Sequence, residues 1–290
     1  MTGWLIVGGN GGVGRGSTED VAGERLRVAR VSRRAMLQTA GLGVASLLGA
    51  QAAGDRMRRQ GSALARVRGE AATVADGSGA TSLRVLWRAR TDEKVMALTF
   101  DDGPGRELTP ALLDALREEK VRATFCLVGS RAFEERDLVR RQMRDGHDLA
   151  NHTWTHADLA LQSYDDLKVE LERTDQLLYE LTGRKPGVIR PPYGHVSGAL
   201  LQHAAMAGQG LLLWDVRLRE SELDTAGNVE HVTDHLRPGC ILLGHDFGLP
   251  DRVIGTRAIP EIIRRAKAQG YRFVTASEMF EIDAAGSPQG

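Results

Sequence analysis

Residues 95–104 read Val-Met-Ala-Leu-Thr-Phe-Asp-Asp-Gly-Pro, a largely apolar run that ends in two carboxylates and a turn. A short apolar run bounded by Gly-Pro predicts a buried β-strand. Neighbouring side chains of an extended chain point to opposite sides, so Asp101 and Asp102 can have different roles. Two adjacent carboxylates repel each other unless a cation or a base stabilises them. Taken alone, the stretch is also typical of an ordinary Asp-Gly-Pro turn.

Strand-length apolar runs recur after this stretch, with helical patterns between them. Thr109-Pro110 is typical of a helix start, and Ser163 with Asp166 resembles a capping box before a helix that Gly183 ends. The alternation predicts a mainly parallel sheet, either open or closed into a barrel, whose strands carry the chemistry at their carboxyl ends. Upstream, residues 83–89 and 95–100 predict a leading hairpin. The runs are 123–128, 147–150, 187–189, 211–214, 240–243 and 271–275, and further helices are expected at 111–119, 166–181 and 258–268.

Polar motifs follow these runs directly. His152 and His156 are four residues apart after the run 147–150, a spacing expected to put both on one face of a helical turn, where they can bind one metal ion. With one Asp from another strand end they form a three-ligand site with open positions, which suits catalytic zinc and also a non-haem iron oxygenase. A second carboxylate favours hydrolysis, because a base beside a metal-bound water can remove its proton.

Two later strand ends add candidate catalytic groups. Arg190 opens the stretch Arg-Pro-Pro-Tyr-Gly and can orient a carboxylate, while the rigid loop after it can fix a backbone N–H. His245 ends the apolar run that begins at Cys240 and is a candidate general acid. Each motif alone is typical of loop structure, but the ordered set predicts a catalytic site.

The ordered series T-F-D-D-G-P, N-H-x-x-x-H, R-P-P-Y-G and L-x-H resembles the polysaccharide deacetylases, which share the NodB homology domain and form carbohydrate esterase family 4. The resemblance covers about residues 94–282. It implies an α/β fold, a distorted (β/α) barrel with about seven parallel strands. It also implies removal of acetyl groups from N-acetylglucosamine polymers or acetylated xylan with one divalent metal ion, Zn²⁺ first and Co²⁺ or Ni²⁺ as alternatives.

The same resemblance implies a metal site and a base. Asp102, His152 and His156 would hold the metal ion. Asp101 would be the general base that deprotonates the attacking water. Arg190 would pair with Asp101 and hold it ionised.

The remaining roles concern the oxyanion, the leaving group and the groove. The backbone N–H of Tyr193 would stabilise the oxyanion, and His245 would protonate the departing amine. Leu243 would line the slot for the acetyl methyl group. Pro192 and Trp214 are expected in the substrate groove.

One motif departs from the family pattern D-x-x-D-W. The aligned stretch Arg217–Ser221 places Glu220 where the family has the Asp that pairs with the general-acid histidine. Ser221 replaces the tryptophan that walls the groove, and an arginine replaces the first Asp. These changes leave the preference for N- or O-acetyl groups open, and Asp215 or Asp224 are alternatives to Glu220.

The N-terminal third predicts an export signal. Residues 32–38, Ser-Arg-Arg-Ala-Met-Leu-Gln, resemble a twin-arginine signal, an uncharged stretch follows to residue 54, and Ala50-Gln51-Ala52 fits a cleavage site. An uncleaved membrane anchor and a buried helix are the alternatives. We therefore expect an exported protein, extracellular or associated with the cell envelope, with no stable membrane insertion after cleavage. The predicted division is an extension with the signal at 1–53, a flexible basic linker at 54–81 and the deacetylase domain at 82–290.

Composition narrows the function classes. The chain of 290 residues has 38 basic and 38 acidic side chains, 42% apolar and 26% charged residues. These values are typical of a soluble globular protein, and the zero net charge gives no sign of nucleic-acid binding. The two cysteines, Cys126 and Cys240, lie in apolar runs and are expected to be buried free thiols.

The leading hypothesis is a metal-dependent hydrolase that deacetylates N-acetylglucosamine units of an extracytoplasmic polysaccharide, either peptidoglycan or a chitin-like glycan. We expect a monomer whose partner is this acetylated glycan. An O-deacetylase of the acetylxylan type and a carbohydrate-binding pseudo-enzyme are the alternatives.

Overall fold

Strands and helices alternate along the chain in a computed structural model, which describes residues 73–74, 81–248 and 250–286. A 3₁₀ turn, Pro192–Gly194, follows the buried stretch Val188–Ile189. The strands are β1 (Thr73–Val74), β2 (Thr81–Ser82), β3 (Val85–Leu86), β4 (Val95–Asp101), β5 (Thr124–Leu127), β6 (Asp148–Asn151), β7 (Val188–Ile189), β8 (Gly210–Leu212), β9 (Val216–Arg217), β10 (Cys240–His245) and β11 (Arg272–Val274). The helices are α1 (Thr109–Glu118), α2 (Gly129–Glu134), α3 (Arg136–Arg144), α4 (Tyr164–Thr182), α5 (Gly198–Ala207), α6 (Thr225–Asp234), α7 (Arg252–Ala268) and α8 (Ala276–Gly286).

One curled parallel sheet forms the frame of the domain. Eight strands follow the order β3-β8-β7-β6-β5-β4-β10-β9, and β11 pairs with the first half of β4. Every strand pairing in this sheet is parallel. The sheet curls far enough for Arg88, just after β3, to bridge to Cys240 of β10. The predicted distorted (β/α) barrel is therefore confirmed as a curled half-barrel.

Strand β4 is an interior strand of this sheet, and all seven of its residues are buried. Its side chains alternate between two apolar clusters, as a strand covered on both faces requires. Met96, Leu98 and Phe100 pack in the cluster that contains the buried leucines of α1 and the isoleucines of α7. Val95 and Ala97 pack on the other side with residues of β8, β10 and α8. The strand that ends in the two aspartates is therefore held rigidly from both faces.

The predicted leading hairpin is wrong. Strand β3 pairs with β8 in parallel, and β4 is flanked by β10 on one side and by β5 and β11 on the other. No edge of β4 is left for an antiparallel partner. The link between β3 and β4 is tied elsewhere, since Ala89 N donates to Gly239 O and Arg90 N to Asp283 Oδ1.

The expected helix boundaries are partly confirmed. Ser163 caps α4 by accepting a hydrogen bond from Asp166 N, and Gly183 ends it with a left-handed φ of 72°. Thr109 is not a cap, because it is the first helical residue. Its Oγ1 instead accepts from Gly105 N at 2.8 Å and donates to Asp246 Oδ2 at 2.6 Å.

Several predictions fall on residues outside the described part of the chain. These are the twin-arginine segment at 32–38, its cleavage site and most of the linker at 54–81. Within that linker range the structure describes β1 and Thr81 of β2, which belong to a small antiparallel pair. Across the described residues no helix has the length and hydropathy to cross a bilayer. Cys126 and Cys240 are both buried and form no disulfide, as expected.

Candidate metal and catalytic site

The carboxyl ends of neighbouring strands gather the polar motifs, as the parallel sheet predicts. Asp101 ends β4 and is the register partner of His245, which ends β10. Strand β6 ends one residue before His152, and β7 ends one residue before Arg190. The parallel pairing of β10, β4, β5, β6 and β7 therefore brings four sequence motifs to one edge of the sheet.

Asp102, His152 and His156 form a cluster whose potential ligand atoms lie within 4.8 Å of one another. Asp102 Oδ1 lies 3.1 Å from His156 Nε2 and 3.6 Å from His152 Nε2. Two imidazole nitrogens and one carboxylate oxygen are a donor set that fits a divalent metal ion and leaves further coordination positions open.

The tautomer of His152 also fits the binding of a cation. The ring nitrogen His152 Nδ1 lies 2.7 Å from the carbonyl oxygen of Arg190, which leaves Nε2 to face Asp102. Such a bond fixes the tautomer of a metal-binding histidine. Burial opposes ionisation of Asp102, yet hydrogen bonds from both histidines hold its pKa well below its usual range. Burial lowers the pKa of His152, but Asp101 and Asp102 outweigh that and leave it raised.

The loops that carry these groups adopt strained backbone conformations. Five non-glycine residues of the described chain have positive φ, and four of them are at this site. A residue other than glycine in the left-handed region costs free energy, and such residues cluster at functional sites. The four are Asp102 (φ 76°), Thr153 (67°), His156 (64°) and Tyr193 (61°), and the fifth is Lys120 (53°).

Glu170 of α4 supports the loop between the two histidines. Its Oε2 accepts hydrogen bonds from Trp154 N at 2.9 Å and Thr155 N at 2.8 Å, and its Oε1 accepts from Thr155 Oγ1 at 2.9 Å. The side chain of Asn151 adds a bond from Thr153 N at 2.9 Å. The loop is thus fixed from a helix and from the strand that precedes it.

Arg190 lies beneath Asp101 and is completely buried. Its Nη1 donates to Asp101 Oδ1 at 2.9 Å and to Thr99 Oγ1 at 2.7 Å. The carbonyl oxygens of Leu212 and Leu213 accept its remaining bonds at 3.3 and 3.0 Å. The structure therefore places Arg190 against Asp101, as the resemblance implies.

On the other side of the site, Glu220 faces His245. Glu220 Oε2 lies 2.9 Å from His245 Nδ1, and Glu220 is only 3% exposed. The two alternative acids are used elsewhere. Asp215 pairs with Arg237, and Asp224 caps α6 by accepting from Gly227 N.

The residues expected around the groove have different environments. Leu243 and Pro192 are buried, and Trp214 is half-buried with its ring above the guanidinium of Arg190. Tyr193 is 61% exposed, and its ring lies edge-on to that of His156 at 5.0 Å. Ser221 is exposed.

Three residues beside the site carry no sequence motif and were not predicted. Glu170 supports the histidine loop, and Arg252 of α7 contacts both Glu220 and His245. Asp246 is fully buried, and burial raises its pKa to about 7. Only Asp246, adjacent to His245 at a strand end, had a positional signal that could have found it.

Comparison with known proteins identifies the family. A profile described as polysaccharide deacetylase matches residues 88–211. A peptidoglycan-N-acetylglucosamine deacetylase of Bacillus cereus is 36% identical over 199 residues, which are 67% of this chain and 92% of that protein. The chain belongs to the polysaccharide deacetylase family. The prediction that it is a hydrolase of this family is confirmed.

Two further polysaccharide deacetylases extend this result. A chitooligosaccharide deacetylase of Sinorhizobium fredii is 37% identical over 178 residues, covering 61% of this chain and 83% of that protein. A crystal structure of a peptidoglycan N-acetylglucosamine deacetylase superposes with a TM-score of 0.66 at 31% identity, covering 68% of this chain and 92% of that one. The fold and the family assignment therefore agree.

Proposed function

We propose that this chain is a metal-dependent N-deacetylase that acts on N-acetylglucosamine units of an extracytoplasmic glycan, with peptidoglycan as the first candidate. The observation that carries the proposal is the Asp102, His152 and His156 cluster with Asp101 on one side and His245 at the end of the adjacent strand. The names of relatives that act on peptidoglycan and on chitooligosaccharides support the substrate class.

Asp102, His152 and His156 would hold the metal ion. Zn²⁺ is the first candidate because it favours two imidazoles with one carboxylate, and Co²⁺ and Ni²⁺ are the alternatives. When bound, such a cation supplies Lewis-acid polarisation of a carbonyl oxygen and lowers the pKa of water.

Asp101 would accept the proton of the attacking water. Its Oδ1 is bound by the buried Arg190, whose positive charge favours the carboxylate. Its Oδ2 lies 3.7 Å from His152 Nε2, so the second oxygen faces the metal ligands. One carboxylate oxygen is thus anchored and the other is free to act as the base.

His245 would donate a proton to the nitrogen of the departing amine. An amine leaves poorly as an anion, so a proton donor at this position accelerates the step by about 10²–10⁴-fold. Tyr193 would present its backbone N–H to the oxyanion from the turn Pro192–Gly194. Its strained φ of 61° is consistent with a backbone held for this purpose.

The twin-arginine pattern at residues 32–38 supports a location outside the cytoplasmic membrane, where peptidoglycan lies. We therefore include export by that route in the proposal.

The test is acetate release by the full chain, loaded with Zn²⁺, from chitin oligosaccharides, peptidoglycan and acetylated xylan. Asp101→Asn should lower the rate on the true substrate by at least about 10²-fold, because the base is lost. Asp92→Asn is the matched control, since Asp92 is exposed in the loop before β4. Release only from xylan would replace the proposal with an O-deacetylase. Folded, metal-loaded protein that binds glycan without releasing acetate would replace it with a binding role.

A further inference from the structure

We propose that Arg252 is a positioning residue for His245, whose guanidinium opposes the effect of Glu220 on the imidazole and so limits the pH range in which His245 carries the proton that it donates. This inference rests on the proposed function, because it concerns the protonation of the leaving amine.

Three polar side chains meet in mutual contact at this point. Arg252 Nη1 makes a short contact with Glu220 Oε2 and lies 2.7 Å from His245 Nδ1, while Glu220 Oε2 lies 2.9 Å from the same nitrogen. The side chains of Glu220, His245 and Arg252 are 2%, 17% and 27% exposed. The three side chains are thus mostly shielded from solvent. Charge interactions in such a shielded environment are stronger than in water.

The contacts of Nδ1 cannot all be hydrogen bonds at once. A protonated Nδ1 donates to Glu220 and is then repelled by the guanidinium of Arg252. An unprotonated Nδ1 accepts from Arg252, and the ring proton then lies on Nε2. Glu220 therefore favours the imidazolium, whereas Arg252 favours the neutral ring, so removing one or the other should shift the protonation of His245 in opposite directions.

Helix α7 supplies both the charge and the space that a glutamate needs at position 220. Arg252 and Gly255 are three residues apart on α7 and so lie on the same side of the helix. A Cβ atom at Gly255 would lie 2.6 Å from Glu220 Oε1 and 2.8 Å from Glu220 Cγ. Glu220 Oε1 has no hydrogen-bond partner among the described residues, so Oε2 alone anchors the carboxylate. Glu220, whose side chain is longer than that of the family Asp, thus depends on α7 for its position.

Other charged groups also face His245 and are the same in every variant considered. Because they are constant, a difference between wild type and an Arg252 variant reports the effect of Arg252. These groups are Asp101 on β4, Asp102 after it and Asp246 next to His245.

The experiment compares pH profiles of kcat for the full, Zn²⁺-loaded chain. Arg252→Met should move the alkaline limb of the profile to higher pH by about one unit. It should also lower kcat about tenfold, with KM little changed. Glu220→Gln should move the same limb to lower pH by about one unit. Arg252→Lys should keep the wild-type limb, because the charge is conserved. Arg257→Met, at an exposed position of the same helix, is the matched control.

An Arg252→Met profile whose limb does not move would overturn the inference, even if kcat falls, because a purely structural role lowers kcat alone. Limbs that move in the same direction in Arg252→Met and Glu220→Gln would also overturn it. NMR titration of the His245 imidazole in the same proteins, assigned with His245→Gln, gives the same comparison without turnover. Wild-type protein that releases no acetate would refute the proposed function, and the NMR midpoints would still decide the role of Arg252.

Discussion

Replacing Arg190 with methionine should destabilise the domain strongly. The guanidinium is fully buried and donates to Asp101 Oδ1, Thr99 Oγ1 and the carbonyl oxygens of Leu212 and Leu213. Methionine fills much of the same volume, so the main cost is the carboxylate of Asp101 left buried without its cation. Removing one partner of a buried ion pair costs about 3–5 kcal/mol. We expect the free energy of unfolding to fall by an amount in this range.

The loss should depend on the charge of Asp101, which a double-mutant cycle measures. In Asp101→Asn the acid is neutral, so removing Arg190 from that background leaves no buried charge. The double variant should therefore cost at least about 2 kcal/mol less than the sum of the single variants, a coupling typical of residues in direct contact. Urea unfolding of the metal-free chain, followed by circular dichroism, gives all four free energies.

Arg257→Met serves as the control, since exposed substitutions usually change stability by less than about 0.5 kcal/mol. A folded Arg190→Met protein that loses less than about 1 kcal/mol would refute the reasoning, because Arg190 would then not compensate a buried charge. If the double variant loses as much free energy of unfolding as the two single variants together, the cost of removing Arg190 does not come from the charge of Asp101.

Three further predictions concern groups around the site and in the core. Burial lowers the pKa of His147 from 6.5 to about 4, so the unfolded chain binds the proton more tightly. Stability should therefore fall as the pH drops from about 6.5 to 4, and His147→Gln should flatten that part of the curve in urea titrations. Glu170→Gln should weaken Zn²⁺ binding about tenfold in chelator competition, whereas Glu172→Gln, exposed on the same helix, should not. Burial raises the pKa of Cys240 to about 12 and that of Cys126 well above its ordinary value, so a thiol reagent at pH 8 should label neither until the protein unfolds.

The strand-end motifs could be predicted because parallel strands impose where their side chains meet. The apolar run at 95–100 is predicted to be a buried strand, and the residues after the apolar runs are predicted to lie at the same edge of the sheet. Asp101, His152, Arg190 and His245 therefore converge in the structure as the spacing indicates. Glu220, at the departure from the family motif, lies beside His245, whose position is set by the strand next to β4.

The supports of the site could not be predicted in the same way. Glu170 and Arg252 act from helix surfaces, where an isolated charged residue is indistinguishable from a solvated one without the tertiary packing. The hairpin error has a similar cause. Alternation at 83–89 indicated a strand but carried no information on its partner, and pairing with β8 depends on how far the sheet curls.

The catalytic groups on the two sides of the Asp102, His152 and His156 cluster differ in a way that matches the proposed chemistry. Asp101 is bound by the completely buried Arg190, so its carboxylate is fixed in place. His245 is partly exposed and lies beside two side chains of opposite charge, Glu220 and Arg252. Glu220 favours its protonated form and Arg252 its neutral form. A general base and a general acid both exchange a proton in every turnover, but here the base is held in a fixed position by a buried cation, whereas the acid lies beside two side chains of opposite charge. Glu220 attracts the imidazolium of His245, and the guanidinium of Arg252 offsets that attraction. The substitution of Glu for Asp at position 220 is therefore best understood together with α7, which supplies the opposing charge and the space beside it.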